Sequence, residues 1–125
     1  MKTLGKTFGK VEDFVNENEG KGMKIYIAGK VAGLPESEYT EYFSAVEEYR
    51  TNNGFQTINP VKLIETVQDA IPWELSHMEI MDIDLAVLAY CDAIYLMKNW
   101  KESRGAREEY RHAISNGLDI IMETS

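Results

Sequence analysis

Long apolar runs are missing from this chain. The longest, at residues 86–90 and 93–97, fall far short of the roughly 20 residues that a membrane-spanning helix needs. Positive charge is scarce too: 13 Lys and Arg face 21 Asp and Glu, and the net charge of −8 would repel a polyanion, which argues against extended DNA or RNA as a partner. A small anionic ligand stays open, because a local pocket can be positive inside an acidic protein. The single cysteine, Cys91, has no internal disulfide partner and sits in an apolar stretch, where a buried, inert thiol is expected. No apolar segment of signal-peptide length accompanies Lys2 and Lys6, so a reducing, cytoplasmic setting is expected. With two histidines and no paired ligand spacing, a metal site is not expected, and no cofactor is implied.

What is present is ordinary globular composition, 44% apolar against 27% charged, in a length that suits one core. Residues 1–22 are rich in Gly, Lys and Glu and end in Glu19-Gly20-Lys21-Gly22, so they read as a flexible N-terminal arm, with a short helix over 11–15 as the alternative. The domain proper is expected over 23–125. From Met23 the pattern alternates. Short β-branched and aromatic runs at 24–28, 55–58, 93–97 and 119–122 predict strands, the third apolar enough to be covered on both faces. Helices are expected over 37–52, around 61–67, over 73–90 with Leu75, Met78, Met81, Leu85 and Leu88 on one side, and from the cap Ser103 to Asn116 before Gly117. This βαβαβαβ order predicts an α/β flavodoxin-like or Rossmann-like three-layer sandwich, with a parallel four-stranded sheet in the order 2-1-3-4. In such sheets the ligand lies beyond the carboxyl ends of the strands, so the loops after Ala28, Ile58 and Met97 are the ones to search.

Three features converge on that edge. After the first strand, the small-residue loop from Gly29 to Gly33 would let a ligand approach the backbone closely. At the start of the last helix, Ser103-Arg104-Gly105-Ala106-Arg107-Glu108-Glu109 offers free N–H groups and two arginines to a phosphate or sugar oxygen. On that helix the apolar face is set by Ala106, Tyr110, Ala113 and Ile114; Glu108 falls opposite it and Glu109 borders it, which also suits a surface glutamate paired with Arg107 or Arg111. Third, Met81-Asp82-Ile83-Asp84-Leu85 places two carboxylates in an apolar helix, and periodicity does not separate Asp82 from Asp84. Asp92 opens a strand and belongs at the opposite end of the sheet. Asn59 follows the second strand. Trp100 follows the third, where it would either stack on a base or cover the core.

Taken together, Ile25-Tyr26-Ile27-Ala28-Gly29, Asp84-Leu85 eight residues before Asp92, and Gly105-Ala106-Arg107-Glu108-Glu109 resemble the nucleoside 2-deoxyribosyltransferase superfamily, in particular its small bacterial and phage-encoded branch. The resemblance implies a catalytic glutamate at Glu109, a tyrosine that hydrogen-bonds it at Tyr26, and an aspartate near the leaving base or ribose at Asp84. Substrate contacts are expected at Gly29, Gly33, Asn59, Trp100, Ser103, Arg104, Gly105 and Arg107. Ser103 stands where the transferases carry a base-contacting aspartate and is similar instead to the phosphate-contacting serine of the 2′-deoxynucleoside 5′-phosphate N-hydrolases. Those hydrolases carry an arginine where this chain has Ala32, and a serine from the neighbouring subunit near a longer C-terminus; here the chain ends at Ser125, and Arg104, Arg107 or Lys30 would have to hold a phosphate.

The expected activity is cleavage or transfer at the N-glycosidic bond of a (deoxy)nucleoside or nucleoside 5′-monophosphate, with Glu109 attacking the anomeric carbon and Tyr26 keeping it ionised. A homo-oligomer is expected as well. Two other readings stay open: a binding protein that sequesters a nucleotide-derived signal, as a phage anti-defence protein would, and a flavodoxin-like interaction domain.

Overall fold

The sheet forms where β-branched and aromatic residues cluster, and the helices fill the intervals between those runs. In the computed structural model, which describes residues 4–123, the chain opens with β1 (Thr7–Phe8), α1 (Val11–Asn18), β2 (Lys24–Ala28) and α2 (Glu36–Asn52). It continues with β3 (Gln56–Ile58), α3 (Pro60–Ala70), α4 (His77–Leu88) and β4 (Ala93–Leu96), then a 3-10 turn (Trp100–Glu102), α5 (Arg104–Ser115) and β5 (Asp119–Met122). Lys2 and Ser125 lie outside the described residues. Every pairing is parallel, and the spatial order is β1-β5-β4-β2-β3. The four expected strands are β2 to β5 in the expected relative order; the strand count is corrected by β1, which adds a fifth strand outside β5. Among the described residues no helix is long and apolar enough to cross a membrane.

The added strand changes the reading of the N-terminus. Thr7 and Phe8 pair with Ile120 and Ile121, the Ile120 N–H donates to the Lys6 carbonyl at 2.8 Å, and the Lys6 N–H donates to Asp119 Oδ1 at 2.9 Å. Gly5 permits this approach, since a Cβ there would lie 1.9 Å from the Leu118 carbonyl oxygen. Phe8, Val11 and Phe14 are then buried, with the Phe14 ring edge-on to Phe8 at 5.2 Å and tilted against Phe55 at 5.4 Å. Each such side chain contributes about 1.5–3 kcal/mol through burial. Where a flexible arm was expected, Thr7–Phe8 is strand and Val11–Asn18 is helix, because the amphipathic spacing of Val11, Phe14 and Asn18 gives the segment a face to dock.

Alternation along the strands divides the interior. Ile25, Ile27, Tyr95 and Met97 point to the face covered by α1 and α2, with Phe14, Phe43 and Phe55. Tyr26, Ala28, Ile94 and Leu96 point to the other face, against Leu88, Ala106 and Ala113 of α4 and α5. The start of α4 is corrected from residue 73 to His77 by a capping box: Ser76 Oγ accepts from the Glu79 N–H at 3.1 Å while Glu79 Oε1 accepts from the Ser76 N–H at 2.9 Å. With that start the buried positions of α4 are Asp84 and Leu88, and Met78, expected on the inner side, is 77% exposed.

Candidate active site

Beyond the carboxyl ends of β2, β3 and β4 lies a cavity of about 710 Å³ with largely apolar walls. Ligand cavities commonly fall at about 300–1,000 Å³. The loop after β2 and the helices α2 and α3 form one side through Tyr39, Phe43, Val61 and Ile64; α4 and the start of α5 form the other through Ile80, Met81 and Ala106. Two buried carboxyls, Asp84 and Glu109, line it as well.

Local sequence explains how each arrives there. α5 starts at Ser103, whose Oγ accepts from the Ala106 N–H at 3.1 Å, and that start fixes which helix positions face inward. The inward positions are Ala106, Glu109 and Ala113, while Ile114 is 45% exposed. Glu109 therefore sits in the middle of the buried face, where the sequence placed it at the border. Glu108 is exposed, as expected. Gly105 leaves a gap that the Met81 methyl nearly fills, since a Cβ there would lie 3.2 Å from it. On α4, Asp84 is buried one turn before Leu88 while Asp82 is exposed, which resolves the pair that periodicity left open. Tyr26, fully buried in the middle of β2, donates its hydroxyl proton to Glu109 Oε2.

Burial dominates the electrostatics. It pushes Asp84 up to about 7, with the Tyr26 hydroxyl partly offsetting it. It pushes Glu109 up to about 8; the Tyr26 hydrogen bond opposes this, and the neighbouring Asp84 and Glu108 carboxyls reinforce it. The Tyr26 hydroxyl is itself held far above its ordinary range, by burial first and by Glu109 and Asp84 next, so it remains a proton donor. The Tyr26 hydrogen bond favours the ionised form of Glu109 in the expected direction, but burial outweighs it. Among the described residues, Asp84 Oδ1 is buried without a hydrogen-bond partner.

Of the expected substrate contacts, Gly29, Ser103, Arg104 and Gly105 line the cavity with Asp84 and Glu109. Gly29 has a packing reason as well, since a Cβ would lie 2.5 Å from the Met97 sulfur. Four others are placed elsewhere. Asn59 is the N-cap of α3, its Oδ1 accepting from the Val61 N–H at 3.0 Å, a role the Asn59-Pro60 pair already signals. Trp100 packs on Tyr110 with ring centroids 4.7 Å apart and covers the core. Gly33 makes an exposed turn at φ +84°. Arg107 donates to the Lys101 carbonyl at 2.6 Å and is exposed. Lys30 does line the cavity, as does Ala32. Sequence reasoning missed the α3 wall, Val61, Ile64 and Gln68, whose i, i+3, i+7 spacing marks one face of that helix. Asp92, set aside as belonging to the far end of the sheet, accepts there from the Lys24 N–H at 2.8 Å.

Comparison with known proteins places this geometry in context. The family model described as "Domain of unknown function (DUF4406)" matches residues 23–122. No curated protein matches the chain. Among solved structures the chain is similar to a 2-desoxiribosyltransferase from Leishmania mexicana, at 18% identity and a TM-score of 0.60, over 80% of this chain and 63% of that one. It thus spans less than two thirds of that enzyme's length, and the likeness is one of fold. The protein belongs to the DUF4406 family, and its parallel α/β fold is similar to that of the Leishmania mexicana protein.

Proposed function

We propose that this protein cleaves, or transfers at, the N-glycosidic bond of a (deoxy)nucleoside or its 5′-monophosphate, with Glu109 as nucleophile. The observation that carries the reading is the pair of buried carboxyls, Glu109 and Asp84, on the wall of one nucleoside-sized cavity, with the Tyr26 hydroxyl bonded to Glu109. Two carboxyls with one proton between them suit the two halves of a glycosidic cleavage. The shared proton, held more tightly by Glu109 than by Asp84, moves to Asp84 as the substrate binds; ionised Glu109 then attacks the anomeric carbon as the bond to the base nitrogen breaks, and the electron pair goes to that nitrogen, which takes the proton of Asp84. Water or a second base then attacks the same carbon, freeing Glu109, and Asp84 takes back a proton. Tyr26 acts as a positioning residue: its hydroxyl fixes the carboxylate and favours the ionised form that attack requires.

The test is base release from a panel of deoxynucleosides and nucleoside monophosphates, read by chromatography. Glu109→Gln keeps the side chain's shape and removes its charge, so the rate should fall by roughly two to four powers of ten, far beyond what a surface change produces. Glu108→Gln is the control and should leave the rate within about twofold, as expected for an exposed position. Equal rates for wild type and Glu109→Gln would reject the nucleophile. A second reading, a protein that binds the nucleotide derivative without cleaving it, draws on Glu109 itself: a carboxyl pushed up to about 8 is mostly protonated near neutrality and is then no nucleophile. Tight binding of one derivative with no base released from any substrate would favour that reading.

A further inference from the structure

The two inner carboxyls are not alone in the cavity. Glu36 of α2, Glu65 and Asp69 of α3, and Glu102 of the 3-10 turn also line it, and all four are exposed to solvent. Against these six acidic side chains the lining carries two permanent cations, Lys30 and Arg104, and one histidine, His77. Deeper in, Asp84 is only 8% exposed, and its Oδ1 is buried with no hydrogen-bond partner among the described residues. A buried polar atom without a partner costs about 1–3 kcal/mol, which a hydrogen bond to a ligand would recover. The N-terminus of α5 favours an anion, but it contributes about half a charge. Four rim carboxylates in a concave site focus a field of the opposite preference.

We infer that this cavity selects its ligand by charge: it takes an uncharged or cationic ring system that hydrogen-bonds Asp84, and Glu36, Glu65, Asp69 and Glu102 turn away phosphorylated ligands. For a nucleoside ligand the inference rests on the proposed function and narrows it, making the unphosphorylated nucleoside the substrate and the 5′-monophosphate a poor one. Arg104 and Lys30 are then outnumbered by the rim carboxylates and do not act as a phosphate clamp.

The experiment measures binding of two matched pairs to the full chain by calorimetry: 2′-deoxyadenosine against its 5′-monophosphate, and the 1-methylnicotinamide cation against nicotinate. The uncharged and cationic members should bind at least about tenfold more tightly than their anionic partners at low salt, a difference of about 1.4 kcal/mol. The gap should narrow at about 1 M salt, where the Debye length falls to about 3 Å. In the double variant Glu65→Gln/Asp69→Asn, both on the exposed side of α3, the affinity ratio of monophosphate to nucleoside should rise severalfold. The matched control Glu12→Gln/Asp13→Asn on α1 should leave that ratio unchanged. Anionic members that bind as tightly as their partners, or a ratio indifferent to both salt and the α3 variant, would overturn the inference, as would the failure of all four probes to bind. If 1-methylnicotinamide binds over nicotinate while neither adenosine compound binds, charge selection stands and the nucleoside reading falls.

Discussion

The two faces of the sheet are built from alternate residues of the same strands, yet they bury different chemistry. Toward α1 and α2 the layer is mainly aromatic, with Phe8, Phe14, Phe43 and Phe55 packed on Ile25 and Ile27, and its buried charge, Arg50, lies over the Tyr95 ring. Toward α4 and α5 the side chains are smaller, and into that layer Tyr26, Asp84 and Glu109 bring buried oxygens. A single step along β2, from Ile25 to Tyr26, crosses from one environment to the other. One face holds the fold together with apolar area, and the other gives up part of that stabilisation to keep ionisable groups out of water. Stability and chemistry are separated by the pleat of the sheet, so substitutions on the two faces should have opposite signatures.

The largest effect belongs to the aromatic face. Phe14→Ala should cost about 3–5 kcal/mol in a denaturant melt, because the pocket between Phe8 and Phe55 cannot collapse around the missing ring. Ligand affinity per folded molecule should stay unchanged. A matching loss of affinity in the folded fraction would break the separation.

The carboxyl face should show itself through pH. Asp84 and Glu109 bind their protons more tightly in the folded chain, at about 7 and about 8, than in the unfolded chain, where the ordinary values are 3.8 and 4.5. Between those limits the folded state holds protons that the unfolded state has lost. Stability from these groups is therefore greatest below the unfolded values and declines as pH rises toward 8. Thermal melts from pH 4.5 to 8 should follow this slope, and Glu109→Gln should flatten it, gaining most over wild type at the alkaline end. An unchanged slope in Glu109→Gln would mean that burial does not perturb this carboxyl.

The smallest change falls between the two layers. Tyr26→Phe keeps the ring and loses the hydroxyl, so it should cost only about 1 kcal/mol in stability. Its sharper readout is ionisation: the hydrogen bond that lowers Glu109 is gone, so the acid limb of the pH–rate profile should move upward. Rate loss with no movement of that limb would make Tyr26 a packing residue only.

Much of this organisation was legible in the sequence because four strands are dense in Ile, Tyr and Phe and α3, α4 and α5 carry side-chain caps. What escaped did so for local reasons. A strand of two residues has no periodicity to detect, and β1 depends on how closely Gly5 approaches Leu118, which is a tertiary fact. The start of α4 was readable, since Ser76 and Glu79 have capping-box spacing, but Trp73 and Leu75 extended the apolar pattern across it. Ile114 misplaced the centre of α5, because one large apolar residue outweighs two alanines in any count of hydrophobicity; the alanines are what lets the helix approach the sheet closely enough to bury Glu109. Asn59 and Trp100 lie in the right loops but are spent on capping α3 and covering the core.

The outer strands carry a consequence beyond the site. The sheet ends in β1 on one side and β3 on the other, elements of two and three residues. An edge that short presents too few free N–H and C=O groups to recruit a strand from another molecule, which is the usual route from an exposed edge to fibrillar aggregation. Docking the N-terminal segment replaces the longer edge of β5 with this stub, so the segment that adds to the core also guards the protein against its own copies.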